Sequence, residues 1–305
     1  MISNLNMVHN ENREAAERKK EAIWHSQKPL MDSYYQGAEG HMSSIKNLKE
    51  AFFDKKRCIC CMDEGTAHIK MDGKLGMAGS GILYPADSWK DRLNKVAAIC
   101  IASGVTMVTS HEGCGAAALA AKRDRLNLDN PDEYGKKWSK ELQKCINKLR
   151  KTEAAGESDH ISSKDMARPA EFHNARVVWF DVTGKFNPDK LENQAPPGFL
   201  INHAIKKLAK TREEENYSFS ELSVAIAIAF GNHGFGKSFD GKNKFVITIV
   251  AADLLQYSKT KLELESFIAT KLPVKLKELN PEITDEEINR IVCSVKIDYF
   301  FAPKK

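Results

Sequence analysis

The sequence predicts an α/β protein: a central, mostly parallel β-sheet flanked by helices, with helices ahead of the first strand and an α/β extension after the core. Three observations lead there. Compact apolar runs without alternation, at residues 58–62, 105–109, 176–184 and 245–252, read as strands covered on both faces. Between the first two runs, residues 87–103 carry Trp89, Leu93, Val96, Ala97 and Cys100 at helical spacing, so strand, helix and strand follow one another as in a parallel sheet. Finally, the first two runs each stop at potential metal ligands, Cys61 in one case and His111 with Cys114 in the other, and ligands collect at the carboxyl ends of such strands.

The whole chain sets bounds on this reading. Its 305 residues suffice for a full core, and its formal charge of +5 is spread through mixed-sign segments. No long basic stripe interleaved with aromatics appears, which argues against nucleic-acid binding. The amino terminus has no basic region followed by an apolar one, and the longest apolar runs, 224–230 and 245–252, are too short to span a bilayer. Seven cysteines, an odd count in a chain this long, fit reduced thiols and a cytoplasmic protein rather than a disulfide framework. In that setting clustered Cys and His point to a metal. No internal repeat is visible.

Taken in order, residues 9–25 read as an amphipathic helix that ends before Pro29, and residues 43–53 as a second helix with Ile45, Leu48 and Phe52 on one side. The two either pack on the body or embrace another subunit. After the strand at 58–62, residues 68–75 read as a strand or hairpin turning at Asp72-Gly73. The glycine-rich stretch 76–81 lacks the Gly-Lys-Ser/Thr ending of a phosphate loop. Gly104 ends the 87–103 helix, the strand 105–109 follows, and 116–121 is helical. A long helix over 132–151 buries Trp138, Leu142, Cys145 and Leu149, and 152–163 is a polar loop. After the strand at 176–184, Pro196-Pro197-Gly198 breaks the chain. Residues 199–210, 219–230, 259–272 and 285–293 read as helices, 231–241 as a glycine-rich loop carrying His233, and 295–301 as a last strand. Three regions result: an amino-terminal helical arm (1–54), a metal-binding core (55–198) and a carboxyl-terminal extension (199–305).

Cys61-Met62-Asp63, followed by His111-Glu112-Gly113-Cys114-Gly115 at the next strand-to-helix junction, resembles the β-class carbonic anhydrases, which pair Cys-x-Asp-x-Arg with a later His-x-x-Cys-Gly. Gly76-Met77-Ala78-Gly79 looks like a degraded form of that family's Arg-Asn-Ala-Gly segment, and 177–184 like its Trp-Val-Tyr-Asp strand, with Phe180-Asp181 as the aromatic-Asp pair. The match covers roughly residues 45–190, about half the chain. The resemblance implies one Zn2+ held by Cys61, His111 and Cys114, and reversible hydration of carbon dioxide to bicarbonate by zinc-bound hydroxide. It also implies Asp63 as the catalytic residue that orients the attacking water, and assembly as a homodimer or higher homo-oligomer. Two thiolates and an imidazole leave a fourth position on zinc for chemistry, and Cys114 in the first turn of a helix is well placed to ionise.

The family's Arg, two residues after the Asp, is Gly65 here. A carboxylate beside a dication without its cationic partner is expected to move onto the metal, making Asp63 a fourth ligand. Lys70, Lys74 and Arg57 are the nearest replacements in sequence, and a gain of activity in Gly65→Arg would point to a lost Asp–Arg pair. Met77 stands where the family has Asn, and Glu64 and Glu112 add negative charge beside the ligands. Two other readings compete: a zinc enzyme of the same fold acting on carbonyl sulfide or carbon disulfide, and a non-catalytic protein whose zinc ties strands together while the extension binds a partner. Cys58, Cys60, Cys100, Cys145 and Cys293 are expected in the core. His68 is a surface or turn residue, and His233 a loop histidine with an outside claim to shuttle protons.

Overall fold

A computed structural model describes residues 2–54, 57–66, 72–126, 130–151 and 158–304, with side chains from residue 14. The α/β architecture expected from the sequence is what it shows. The described strands are β1 (Arg57–Cys60), β2 (Gly73–Gly76), β3 (Val105–His111), β4 (Asp159–Ile161), β5 (Val177–Asp181), β6 (Gly198–Ile201), β7 (Phe245–Ala251) and β8 (Val295–Phe301). The α-helices are α1 (Ile2–Ser26), α2 (Lys28–Gln36), α3 (Ala38–Ser43), α4 (Trp89–Ala102), α5 (Gly115–Arg123), α6 (Pro131–Arg150), α7 (Arg212–Glu215), α8 (Tyr217–Phe230), α9 (Leu254–Thr270), α10 (Leu272–Leu279) and α11 (Asp285–Ser294). The strands divide between two four-stranded sheets, β2-β1-β3-β4 and β6-β5-β7-β8, and all pair in parallel.

The two sheets share one order and one sense, which no repeat in the sequence announces. Cys60 and Phe180 are the last residues of β1 and β5 to pair with their second strands, so Cys61 corresponds to Asp181. Val108 and Thr248 pair with Ile59 and Trp179, so His111 and Cys114 correspond to Ala251 and Leu254. The second sheet therefore repeats the topology without the ligands. It also begins before residue 199, because its central strand is β5.

The sheets meet at their carboxyl ends. The Leu200 N–H donates to the Met62 carbonyl at 2.9 Å, and the Asn202 side chain accepts from the Gly76 N–H at 2.7 Å. Position 76 must be glycine, since a Cβ there would lie 2.4 Å from the Leu200 carbonyl oxygen. One apolar cluster runs from Ile59 and Val108 through Phe199 and Leu222 to Ile247 and Ile249. A second covers the opposite face of the β5 sheet, where Trp179, Val246 and Phe300 meet Met31, Tyr34 and Met42 of α2 and α3. The amino-terminal helices thus pack on the body of the same chain.

Several elements differ from expectation for local reasons. Ile45, Leu48 and Ala51 are buried at three-residue spacing, and Leu48–Ala51 forms a 3-10 helix rather than an α-helix over 43–53. Pro29 lies in the first turn of α2, where its missing N–H costs nothing. Residues 73–76 are a strand parallel to β1; residues 67–71, with His68 and Lys70 and the first arm of the expected hairpin, lie outside the described part. The helix expected over 199–210 is β6 followed by a 3-10 helix at His203–Leu208. Phe199, Leu200 and Ile201 are all buried, as in a strand covered on both faces. The polar stretch 152–163 contains the edge strand β4, with 152–157 outside the described residues. On α6 the buried stripe follows Tyr134, Trp138, Leu142 and Ile146 at four-residue spacing, which leaves Leu149 52% exposed and Cys145 half-buried. Cys293 is exposed rather than in the core. Among the described residues no helix is long and apolar enough to cross a membrane.

Candidate metal centre

β1 and β3 are hydrogen-bonded parallel neighbours, so both run out on the same edge of the sheet. Cys61 is the first residue beyond β1, and His111 the last of β3. Gly113, with φ 68°, turns the chain back in a conformation that L side chains rarely adopt. Its N–H is held by the Asp132 carboxylate at 2.8 Å, and Cys114 becomes the N-cap of α5. The three side chains converge: the Cys61 and Cys114 sulfurs are 4.0 Å apart, and ligand atoms of all three residues lie within 4.8 Å of one another, fully buried. Two thiolates bound to one tetrahedral zinc at about 2.3 Å each stand roughly 3.8 Å apart, so the donors are already close to the required spacing.

The environment asks for a cation. His111 Nδ1 lies 2.9 Å from the Glu112 carbonyl and takes the role of donor to it. Its Nε2 is then the lone-pair nitrogen, buried beside the Cys61 sulfur and without an oxygen or nitrogen hydrogen-bond partner among the described residues. This is the usual orientation of a metal-ligating histidine, whose second nitrogen is tied to a carbonyl or carboxylate. The two thiols cannot both ionise unaided. The shared hydrogen bond with Cys114, together with burial, pushes Cys61 up, whereas the same hydrogen bond and the amides of Ala117 and Ala116 bring Cys114 down against the opposing effect of burial. The Gly79 N–H also donates to the Cys61 sulfur at 3.2 Å. A soft, two-thiolate, one-imidazole set of this kind suits zinc, with cobalt or cadmium as alternatives.

The partner for Asp63 comes from far along the chain. Arg168 grips the carboxylate with two bonds, Nε to Oδ1 at 2.9 Å and Nη2 to Oδ2 at 3.0 Å, both side chains being nearly inaccessible. The Gly65 N–H adds a third bond to Oδ1 at 2.7 Å, while Oδ2 faces His111 Nε2 at 3.8 Å. Burial alone would push Asp63 up, but His173, His111 and Arg168 together hold it well below the usual carboxylate range. Its expected reason for moving onto the metal, a missing cation, is therefore removed. Of the nearer candidates, Lys74 pairs with Asp189 at 3.0 Å and Arg57 donates to the Phe53 carbonyl at 2.9 Å.

Gly65 now has a physical explanation. A Cβ at that position would stand 2.4 Å from Met166 Cε and 2.7 Å from Arg168 Cγ. The space that an arginine at 65 would need is filled by the arginine at 168. Gly65→Arg is consequently expected to lower activity and stability, and not to restore a lost Asp–Arg pair. A thermal melt and a rate measurement on that variant check it.

The acidic neighbours are occupied. Glu64 accepts from the Asn174 N–H at 2.9 Å and pairs with His173 Nδ1 at 3.0 Å, and Glu112 accepts from the Ser163 N–H at 2.7 Å. His233 offers its backbone carbonyl to the His173 N–H at 2.6 Å. Where Met77 replaces the family's asparagine, Asn202 reaches across from β6 to the Gly76 N–H. Beside the three donors lies a cavity of about 20 Å3, bounded by Cys61, Asp63, His111 and His173 on its polar side and by Phe199, Val224 and Ile228 on its apolar side. Roughly 10–15 Å3 suffices for one water, so the cavity has room for a single small molecule next to a metal.

The chain matches none of the protein-family models, curated proteins or solved structures with which it was compared.

Proposed function

We propose that the chain is a zinc-dependent lyase of the β-carbonic-anhydrase type, hydrating carbon dioxide reversibly to bicarbonate, with Cys61, His111 and Cys114 holding the metal. The observation that carries this reading is the Asp63–Arg168 pair set beside a buried sulfur–nitrogen–sulfur group. A metal that only tied strands together would have no use for a fixed, ionised carboxylate next to it. Zinc held there would supply Lewis acidity, enough to make water a nucleophile at neutral pH. Asp63, acceptor-only and aimed past His111, orients a water in the cavity by taking one of its hydrogens. Arg168, bonded to both carboxylate oxygens, holds Asp63 beside the metal position rather than on it. Phe199, Val224 and Ile228 exclude bulk water and suit a small, uncharged, linear substrate. The same apolar wall favours a second reading, hydrolysis of carbonyl sulfide or carbon disulfide at the same centre.

The test is metal analysis of the purified chain followed by stopped-flow carbon dioxide hydration. One zinc per chain with fast, chelator-sensitive hydration is the expected result. Stoichiometric zinc with hydration at the uncatalysed rate would refute the enzymatic reading, and turnover of carbonyl sulfide in that case would establish the second one. Asp63→Ala is expected to lower hydration by roughly 10–100-fold, the usual cost of an outer partner of a metal site, while zinc stays bound.

A homodimer belongs to this proposal, as does a reducing, cytoplasmic setting, in which seven unpaired thiols remain stable. The cavity wall is built within one chain, since Phe199, Val224 and Ile228 come from β6 and α8. Zinc content is accordingly expected to stay constant on dilution through any dissociation of the dimer. Light scattering with parallel metal analysis reads both quantities.

A further inference from the structure

The turn after β2 is held from an unforeseen side. Ala78–Gly81 is a tight 3-10 segment with left-handed backbone at Gly79 (φ 54°) and Ser80 (φ 57°). It presses its backbone onto the sulfurs: a Cβ at Gly79 would lie 3.0 Å from Ala116 Cβ and 3.6 Å from Cys114 Sγ. The downstream side of the turn is fixed by Ser80, whose hydroxyl bonds the Thr109 carbonyl and whose own carbonyl accepts from Trp138 Nε1 at 3.0 Å. The upstream side is fixed by a carboxylate. The Ala78 N–H donates to Glu221 Oε1 at 2.5 Å.

Glu221 belongs to α8, the helix that also sends Val224 and Ile228 to the cavity wall, and it is 1% exposed. Its second oxygen and the buried hydroxyl of Tyr217, one turn earlier, face each other, and among the described residues neither has another partner. Burial, only partly offset by the Ala78 N–H and Tyr217, pushes the Glu221 carboxyl up to about 8. A half-satisfied carboxyl in an apolar interior costs stability. Adjacent amides tie this one to the metal site: the Ala78 N–H goes to Glu221 and the next, from Gly79, goes to the Cys61 sulfur.

We propose that Glu221 is a positioning residue for Cys61: by anchoring the Ala78 N–H it sets the turn that directs the Gly79 N–H onto the Cys61 sulfur, and so tunes how much charge that sulfur gives a metal. This rests on the metal-site reading of Cys61, His111 and Cys114. An N–H bonded to a thiolate draws electron density from it, leaving a weaker donor and a more acidic cation, and hydrogen bonds to ligating sulfur are an established means of such tuning. The long-range contact also couples the cavity wall on α8 to the electronics of the ligand opposite.

The experiment uses the full chain loaded with cobalt(II), whose thiolate-to-metal absorption reports the sulfur directly. No such absorption in the unaltered protein would refute the metal-site reading itself, separately from the role of Glu221. Given the absorption, Glu221→Gln, whose carbonyl still accepts from Ala78, is expected to keep its position. Glu221→Leu is expected to shift it and to change cobalt affinity, because a Cys61 sulfur freed of the Gly79 N–H is a more electron-rich donor. Should Glu221→Leu fail to fold, Glu221→Asp, one methylene too short to reach Ala78 from the same backbone, is expected to shift the band in the same direction. An unmoved band and unchanged affinity in whichever of these two variants folds would overturn the proposal.

Discussion

Cys114→Ser is expected to leave the protein folded and without stoichiometric zinc. Serine is nearly the same size as cysteine, but its hydroxyl does not ionise near neutrality, so one of two thiolates is lost and the remaining sulfur and imidazole hold a dication poorly. The fall in affinity should exceed the roughly 10–100-fold that loss of an outer partner costs. The fold should persist because Cys114 is the N-cap of α5, a position that serine fills well. Chelator competition measures affinity, and far-ultraviolet circular dichroism measures folding. Cys293→Ser, on the exposed surface, is the control and should bind zinc as before. Full zinc occupancy in Cys114→Ser would remove that residue from the ligand set.

Arg168→Met is expected to be the most damaging single change away from the ligands. The Arg168 and Asp63 side chains are 6% and 5% exposed, so the variant strands a carboxylate in the interior. Breaking a buried pair by removing one partner costs about 3–5 kcal/mol. The pH dependence has a definite sign. Asp63 is depressed in the folded state, despite burial, by His173, His111 and Arg168. Its ionised form therefore contributes stability above the unfolded carboxylate value near about 4, and that contribution is lost as pH falls toward the folded value. The deficit of Arg168→Met against the unaltered chain should be largest at neutral pH and should narrow on acidification below about 4. Denaturant titrations at pH 7 and pH 3.5 compare the two. A deficit that stays the same at both values would show that the guanidinium acts through packing and not through Asp63. Activity should fall further than stability explains, because the freed carboxylate can then turn toward the metal.

The Cys61–His111–Cys114 cluster was legible in the sequence because its geometry is local. Cys61 is one residue past a strand, and His111 and Cys114 straddle a glycine turn into a helix, so strand pairing alone brings them together. Arg168 was not legible, since it lies 105 residues from Asp63 in a short polar stretch that resembles any loop. The motif pointed to an absence at Gly65, whereas the fold fills that space from elsewhere. Glu221 escaped notice for a related reason: in an otherwise apolar helix its single charge reads as a solvated position, and only packing shows it buried against Ala78. At β6 the three apolar residues after Pro-Pro-Gly are too few to reveal a period, so the pattern does not separate strand from helix. The matching order of the two sheets left no trace in the residues at all, because backbone pairing constrains burial and not identity.

That matching order has a consequence for how the molecule tolerates change. One polypeptide carries two matching scaffolds, of which one bears the Cys61–His111–Cys114 cluster while the other brings Phe199 to the wall of the cavity beside it. Alterations where the silent half mirrors the ligands, such as Leu254 on its open surface, should pass without chemical effect. Alterations at Phe199 or Ile228 should reshape what the chamber admits while leaving every donor atom in place.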